Sequence, residues 1–398
     1  MSVNDSELCL SHLSTANDEI GNLVNYVRFL KSKNIAGPES KKLINNYLER
    51  RARSQGIPVH GTFELTPSCN LDCKMCYVHL KGESFHSNQL LTTDEWKSIM
   101  EHAYKAGMRQ ATLTGGECLT YQGFDELFLF LRQLGVGVSV LSNGTLIGTR
   151  RVEFFKNKPP EYVQISLYGS NDDTYEKVTG HRVFSRVYEC IQLLKGAGIR
   201  VQISITPNRF MINDIRPLVE LAHTMGVPYE INCRLIQPRE NTGRNIEDLT
   251  IDQYIEIYHI RAELTNTKLY PSDLCDLPEQ SRTVSVQKGL LCGAGRSSFA
   301  ISYDGYMMPC VSLEEVSAPV LTLGFEKAWE IIHQKSTTYL LPGECITCAY
   351  YPVCIHCQAQ HKNAPMGHCN PQICERTRKL AEAGFFHYKG KRGPKQCE

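Results

Sequence analysis

The segment Thr66–Cys76 reads TPSCNLDCKMC and places three thiols in one short loop, at the spacing Cys-x3-Cys-x2-Cys. The three are Cys69, Cys73 and Cys76, and an apolar-alternating run over 62–65 comes directly before them. A structural zinc site takes four protein ligands, whereas no further cysteine follows this loop for about forty residues. The loop therefore predicts a metal centre with one open position. An iron–sulfur cluster that keeps one iron free fits this better than zinc or a set of ordinary reduced cysteines.

The residues and spacing of this loop resemble the radical S-adenosylmethionine (SAM) family. The resemblance implies that Cys69, Cys73 and Cys76 hold a 4Fe–4S cluster, and that the free iron binds the amino and carboxylate groups of SAM. It further implies that an electron from the cluster cleaves SAM into methionine and a 5′-deoxyadenosyl radical. The family places an aromatic residue before the third cysteine, where this chain has Met75. A polarizable thioether can cover an adenine face, so Met75 is still predicted to contact the cofactor.

The composition is typical of an ordinary globular protein, with 42% hydrophobic and 21% charged residues among 398. A net charge of +1 argues against a nucleic-acid partner held by phosphate contacts. The chain has no apolar run as long as a membrane span and no signal-peptide pattern at its start, so we expect a cytoplasmic protein with no membrane partner. That compartment keeps thiols reduced, and 17 cysteines therefore indicate metal sites rather than disulfides.

From about residue 60 to 240 the chain alternates strand and helix six times, which predicts a parallel sheet with right-handed crossovers. The strands carry one apolar and one polar face, as in Val163 and Ile165 against Gln164 and Ser166. Helices can cover only the apolar face, so the polar face must line a wet or ligand-filled space, as in a barrel. We expect an α/β fold: a partial (β/α)6 TIM-like barrel, open on one side, with a Cys-rich C-terminal domain. The candidate strands are 62–66, 111–114, 136–141, 162–167, 200–206 and 229–235.

The rest of the chain divides where this alternation stops. We expect an N-terminal helical cap over 1–58, the barrel over 59–240, a bridging helical segment over 241–285 and a cysteine-rich domain over 286–398. Within the barrel, Thr92-Thr93-Asp94-Glu95 predicts a capped helix start. Apolar residues at helical spacing predict the buried faces of this helix, the next barrel helix and the bridging helix: Trp96, Ile99, Met100 and Ala103; Phe124, Leu127, Phe128 and Leu131; and Tyr254, Ile257 and Ile260.

Turns after the predicted strands supply a candidate cofactor site, since chemistry in parallel barrels lies at the C-terminal ends of the strands. The turn over 115–117 reads Gly-Gly-Glu and resembles the family motif that binds the amino group of SAM, although a Gly-Gly pair alone is also a common tight turn. Ser142 and Asn143 match a family position that contacts SAM. Taken alone, Asn143 and the glycine after it could simply form a turn. Arg182 and Arg186 are alternative partners for the methionyl carboxylate. The predicted SAM-binding residues are Met75, Gly115, Gly116, Glu117, Ser142, Asn143, Ser166 and Ser204.

The C-terminal region holds six cysteines within thirty residues, preceded by Cys292 and Cys310. Their spacing resembles the SPASM extension of radical SAM enzymes, which implies two auxiliary 4Fe–4S clusters and three clusters in all. Cys275 is a candidate further ligand of the first auxiliary cluster, and without it one iron would stay open. Two zinc sites are the competing interpretation. The resemblance assigns Cys292, Cys310 and Cys357 to the first auxiliary cluster, and Cys345, Cys348 and Cys354, completed by Cys374 or Cys369, to the second.

Members with this extension act mostly on peptides and proteins, so the resemblance implies a peptide or protein substrate. We expect a ribosomal-peptide maturase that forms a thioether or another crosslink, with an external electron donor such as flavodoxin or ferredoxin. An anaerobic sulfatase-maturase-like activity is an alternative, but Val311 follows Cys310 where that group has an aspartate. A small-molecule radical SAM dehydrogenase is another. Outside enzymes, the alternative is a non-catalytic iron–sulfur electron carrier, which would not produce 5′-deoxyadenosine.

Overall fold

The computed structural model describes the chain in several ranges and divides it into two compact units, Met1–Gln55 and Gly56–Glu398. In the first unit, helix α1 spans Gly37–Gln55, within the predicted helical cap. The part of that cap before α1 lies mostly outside the described residues. Everything below concerns the second unit. The described residues are 27–28, 30, 32, 37–78, 90–232, 249–264, 290, 292–340, 342–346, 348, 350–351, 354, 357, 359 and 368–385.

Six parallel strands follow one another in sequence and in space. Each pairs with its neighbour, in the order β1 to β6, as repeated βα units require. This confirms the α/β prediction and is consistent with a partial TIM-like barrel. The predicted strand ends lie within two residues of the observed ones, except that 233–235 fall outside the described residues. The strands are β1 His60–Glu64, β2 Gln110–Thr114, β3 Gly137–Ser142, β4 Val163–Ser166, β5 Val201–Ile205 and β6 Tyr229–Ile231.

Amphipathic helices connect the strands and cover their apolar face. The predicted capping box is present: Thr92 N–H donates to Glu95 Oε2 at 2.7 Å, and Glu95 N–H to Thr92 Oγ1 at 3.3 Å. The predicted buried faces of the first two barrel helices and of the bridging helix are confirmed. The helices are α2 Thr93–Lys105, α3 Phe124–Gln133, α4 Thr149–Asn157, α5 Asp172–Thr179, α6 Phe184–Gly196, α7 Ile215–Met225 and the bridging helix α8 Ile251–Leu264.

The two faces of strands β4 and β5 differ as predicted. In β4, Val163 and Ile165 are buried while Gln164 and Ser166 are half-buried, and β5 repeats this pattern. The apolar face carries the main core, where the Phe63 ring meets Trp96 and Phe299 edge-on, each at 5.9 Å between centroids. The polar face is therefore the side of the barrel available to a ligand.

The sheet extends beyond β1, which the sequence did not predict. Strand β7, Ser298–Ile301, pairs in parallel with β1, and β8 (Tyr306–Met308) and β9 (Ala318–Pro319) continue antiparallel. Part of the predicted cysteine-rich domain over 286–398 thus belongs to the barrel sheet, and the domain limits stay a prediction. These strands are two to four residues long, too short for alternation to reveal. The remaining helices are α9 Val320–Leu323, α10 Phe325–Thr338, α11 Gly343–Ile346 and α12 Pro371–Glu382.

Within the described ranges, every helix is too short or too polar to span a bilayer.

Replacing Phe63 with Ala tests the junction of β1, α2 and β7. The ring is fully buried, and its removal leaves a cavity between Trp96 and Phe299, so we expect the free energy of unfolding to fall by about 3–5 kcal/mol. Urea unfolding followed by circular dichroism measures it. The control is Leu321→Ala on α9, which is 53% exposed and should change stability by less than about 0.5 kcal/mol. A loss at Phe63 no larger than the control's would contradict the packing.

Candidate functional site

The candidate site lies where the parallel strands end. The cysteine loop follows β1, the turn over 115–117 follows β2, and Ser142 and Asn143 end β3 and begin the next turn. The C-terminal ends of parallel strands share one edge of a sheet, and this brings the predicted segments together. Ser166 and Ser204 lie opposite each other in the β4–β5 register, half-buried on the polar face.

The two glycines let the β2 turn lie directly on the cysteine loop. Gly115 has φ +147°, and a Cβ there would lie under 3.0 Å from the Thr66 carbonyl oxygen. A Cβ on Gly116 would lie equally close to the carbonyl oxygens of Pro67 and Ser68. In their absence, Gly116 N–H donates to Thr66 O at 2.7 Å. Glycine is required here by close backbone approach, and the predicted contact with SAM stays a prediction.

Glu117 links the β2 turn to the β1 and β3 turns. Its N–H donates to Ser68 O at 2.8 Å. Its carboxylate is buried and accepts hydrogen bonds from Ser142 Oγ at 2.9 Å, Asn143 N–H at 2.7 Å and Leu119 N–H at 3.2 Å. Burial raises the pKa of Glu117, while these hydrogen bonds oppose that shift. In the structure, the Glu117 carboxylate holds the β3 turn. Its binding of the SAM amino group, which the sequence predicts, stays a prediction.

The β3 turn reaches the first cysteine. Asn143 Nδ2 lies 3.6 Å from Cys69 Sγ and donates to Asn70 Oδ1 at 3.0 Å. Asn70 Nδ2 donates in turn to Thr145 Oγ1 at 2.7 Å. The sequence did not predict Asn70 or Thr145 as site residues. Their only signal is that both are short polar residues beside predicted ones, and such residues favour local hydrogen bonds in turns.

The far side of the cysteine loop is held by α5. Asp72 N–H donates to Thr179 O and Lys74 N–H to Val178 O, both at 2.9 Å. Gly180 ends α5 in the left-handed conformation, with φ 76°, which is common at helix C-termini. The C-terminal end of α5 thus supports the loop through its backbone carbonyls.

Of the other predicted residues, Met75 lies in the loop and Arg186 lies beside the β3 turn. Met75 is partly buried and packs against the core. Tyr77, just after the third cysteine, donates its hydroxyl to Glu64 Oε1 at 3.0 Å. The sequence left two arginines as alternatives: Arg186 donates to the Thr145 carbonyl, whereas Arg182 pairs with acidic residues on the surface. Of these two, only Arg186 contacts the β3 turn.

The thiol of Cys69 is poorly suited to ionise by itself. Burial raises its pKa to about 11, and the charge of Glu117 adds to this, while the N–H of Leu71 opposes it. A metal must therefore displace the proton to bind this sulfur. In the described ranges, no three His, Cys, Asp or Glu side chains could hold one shared metal ion. An iron–sulfur cluster places each thiolate on a different iron, which is a different arrangement.

The C-terminal cysteines form two groups. In the first, burial raises the pKa of Cys310 to about 11, and the nearby Cys357 and Cys292 add to this shift. In the second, Cys345 Sγ lies 2.8 Å from Cys369 Sγ. Cys275 lies outside the described residues. The second group lines one cavity of about 330 Å³ and comprises Cys345, Cys348, Cys354, Cys369 and Cys374.

Gly116→Ala tests the close approach of the two turns. The added Cβ would collide with two backbone carbonyls that cannot move without shifting the loop, so we expect a loss of more than about 2 kcal/mol in the free energy of unfolding. The control is Gly148→Ala, where a Cβ meets open space. Urea unfolding measures both, and equal stability of the two variants would rule out the steric role of Gly116.

Glu117→Gln tests the buried carboxylate as an acceptor. Both oxygens face backbone N–H donors, so the amide of Gln must turn an N–H₂ group toward one of them. We expect the free energy of unfolding to fall by about 1–3 kcal/mol. Glu153→Gln is the control, because that side chain is 62% exposed. A Glu117 variant as stable as wild type would mean that this network contributes nothing to folding.

Comparison with known proteins agrees with this geometry. Residues 63–222 match the profile of the Radical SAM superfamily. The chain is 27% identical over 256 residues to the sporulation killing factor maturation protein SkfB of Bacillus subtilis (strain 168), which covers 64% of this chain and 60% of SkfB. It is 26% identical over 324 residues to the AdoMet-dependent heme synthase of Methanosarcina barkeri, covering 75% and 90%.

The chain thus spans less than two thirds of the length of SkfB. In structure, it resembles Streptococcus suis SuiB bound to S-adenosylmethionine, with a TM-score of 0.63 at 15% identity over 90% of this chain and 87% of SuiB. At that identity the likeness concerns the fold. The profile match runs from the end of β1 through most of α7, and it contains the cysteine loop and the β2 and β3 turns. Residues 63–222 of this chain are therefore a radical SAM domain.

Proposed function

We propose that this chain is a radical SAM enzyme that abstracts hydrogen from a peptide or protein substrate. The observation that carries the proposal is the cysteine loop, held by the β2 and β3 turns at the C-terminal edge of a parallel barrel sheet whose polar face is left to a ligand. The match to the Radical SAM superfamily supports the chemistry.

Cys69, Cys73 and Cys76 would hold a 4Fe–4S cluster. The donor set fits, because three thiols in one loop leave one iron for SAM. When bound, the cluster and SAM together supply an electron and a 5′-deoxyadenosyl radical. This chain's own residues position and shield the site: α5 and the β2 turn fix the loop.

The predicted SAM contacts are carried over to this proposal. Glu117, Ser142 and Asn143 belong to the buried network next to Cys69, and Gly115 and Gly116 keep the β2 turn close to the loop. Met75, Ser166 and Ser204 are proposed to contact SAM from the loop and from the polar face of the sheet.

Two auxiliary 4Fe–4S clusters, three in all, are proposed in the C-terminal region. The two groups of thiols support this, since they match the predicted sets. Cys292, Cys310 and Cys357 would serve the first cluster. Cys369 and Cys374 both line the cavity of the second group, so either would complete the set of Cys345, Cys348 and Cys354. Two zinc sites remain the competing proposal for these thiols.

The peptide substrate is supported by two likenesses. SkfB is named as a maturation protein for a killing factor, and the SuiB fold, at a TM-score of 0.52, is also known with its precursor peptide SuiA bound. We propose a ribosomal-peptide maturase that forms a thioether or another crosslink, served in the cytoplasm by a flavodoxin or ferredoxin.

A small-molecule radical SAM activity is the second candidate. It is favoured by the similarity to the heme synthase, because the match covers 90% of that protein's length but only 60% of the length of SkfB. Mass spectrometry separates the two. With SAM and reductant, a cysteine-containing peptide encoded beside this chain should lose two hydrogens if a thioether forms, whereas a porphyrin substrate would leave every tested peptide unchanged.

Changing Cys69, Cys73 and Cys76 together to Ala tests the enzyme itself. Anaerobic reconstitution with iron and sulfide, followed by dithionite and SAM, should yield 5′-deoxyadenosine from wild type and none from the triple variant, since no thiolate remains to hold the cluster. Chromatography of the nucleoside product measures this.

The matched control is Cys190→Ala, which removes a buried thiol from α6. It should retain 5′-deoxyadenosine formation. Product from the triple variant at the wild-type level would refute the radical SAM proposal.

A further inference from the structure

Cys69 Sγ receives a hydrogen bond from a different strand of the barrel. The N–H of Leu71, within the loop, lies 3.4 Å from this sulfur. Asn143 Nδ2 lies 3.6 Å from it and comes from the end of β3, 74 residues along the chain. The second contact places a neutral amide donor on a proposed cluster ligand.

The direction of the Asn143 amide is set by its surroundings. Its Oδ1 accepts from Thr145 N–H at 2.9 Å and from Thr145 Oγ1 at 2.6 Å. A backbone N–H can only donate, so the oxygen must face Thr145. The Nδ2 group must then face the other way, toward Asn70 Oδ1 and Cys69 Sγ. A flipped amide would lose these bonds.

The backbone of Asn143 is anchored as well. Its N–H donates to Glu117 Oε2 at 2.7 Å, and Ser142 Oγ both donates to Glu117 and accepts from Gly144 N–H at 3.0 Å. Asn143 is 8% exposed and Glu117 1%, so the network is largely shielded from water. Hydrogen bonds in such surroundings are stronger and more rigid than those at the surface.

A donor to a ligand sulfur affects the electron chemistry of a cluster. Reduction adds negative charge, and an N–H pointed at the thiolate stabilises that charge. Hydrogen bonds to the sulfurs are among the factors that set cluster reduction potentials. Because the amide is uncharged, it does this without adding a fixed charge to the site.

We infer that Asn143 is a positioning residue that donates to Cys69 Sγ and raises the reduction potential of the loop's cluster. The inference rests on the proposed function and adds a second role for Asn143 to the proposed SAM contact. Glu117 and Thr145 serve this role indirectly, by fixing the backbone and the amide of Asn143.

The test is an anaerobic potentiometric titration of the full reconstituted chain, monitored by electron paramagnetic resonance. The loop's cluster is identified as the one whose signal changes when SAM is added. In Asn143→Ala, we expect the ratio of reduced to oxidised cluster at a given potential to fall about tenfold. For one electron this equals a midpoint lower by about 59 mV.

The matched control is Asn157→Ala, which removes an exposed side-chain amide at the end of α4, so the ratio should stay within about threefold of wild type. An Asn143→Ala variant that keeps its SAM-responsive signal and has the wild-type midpoint would overturn the inference alone, while the proposed function would stand.

Asn143→Asp covers the case in which the Ala variant loses its cluster. It has nearly the same shape and turns a carboxylate oxygen toward the sulfur, so the midpoint should fall further than in the Ala variant. If neither variant holds the cluster, Asn143 is merely structural and its effect on potential is disproved. A wild-type chain with no SAM-responsive cluster would overturn the proposed function and this inference with it.

Discussion

The contact between two turns, those following β1 and β2, determines where the chemistry of this chain can lie. Gly116 N–H and Glu117 N–H donate to the carbonyls of Thr66 and Ser68, at 2.7 and 2.8 Å. These bonds form only because neither glycine carries a Cβ that would collide with the cysteine loop. The loop is therefore fixed to the sheet on one side, and α5 fixes it on the other. The backbone that carries the three thiols is thus held from both sides.

This constraint extends into the barrel through one buried carboxylate. Glu117 is only 1% exposed, so its carboxylate needs hydrogen-bond donors from the protein. Ser142, Asn143 and Leu119 supply them. The β3 turn is consequently held beside the loop, with Asn143 directed at Cys69. The same edge of the sheet borders the polar strand face, so the proposed cluster site adjoins the face proposed to receive the substrate.

Much of this arrangement could be predicted from the sequence, because it depends on local patterns. The six strands, the helix faces and the cysteine loop follow from periodicity and spacing, and Thr92 caps α2 as predicted. The parts that could not be predicted depend on distant residues. Strand β7 is recognisable only through its pairing with β1, and the Asn143 amide meets Cys69 from 74 residues away along the chain. The sequence could not say whether Cys369 or Cys374 completes the second auxiliary set, and in the structure both line the same cavity.

The central claim is that Cys69, Cys73 and Cys76 hold an iron–sulfur cluster with one iron open to SAM. Anomalous diffraction at the iron absorption edge tests it most directly, on crystals grown anaerobically from the reconstituted chain with SAM. The account predicts a compact four-iron signal at the loop, three irons each bonded to one of these sulfurs and the fourth to SAM. A single metal ion shared by these thiols, or a fourth protein ligand on the cluster, would contradict it.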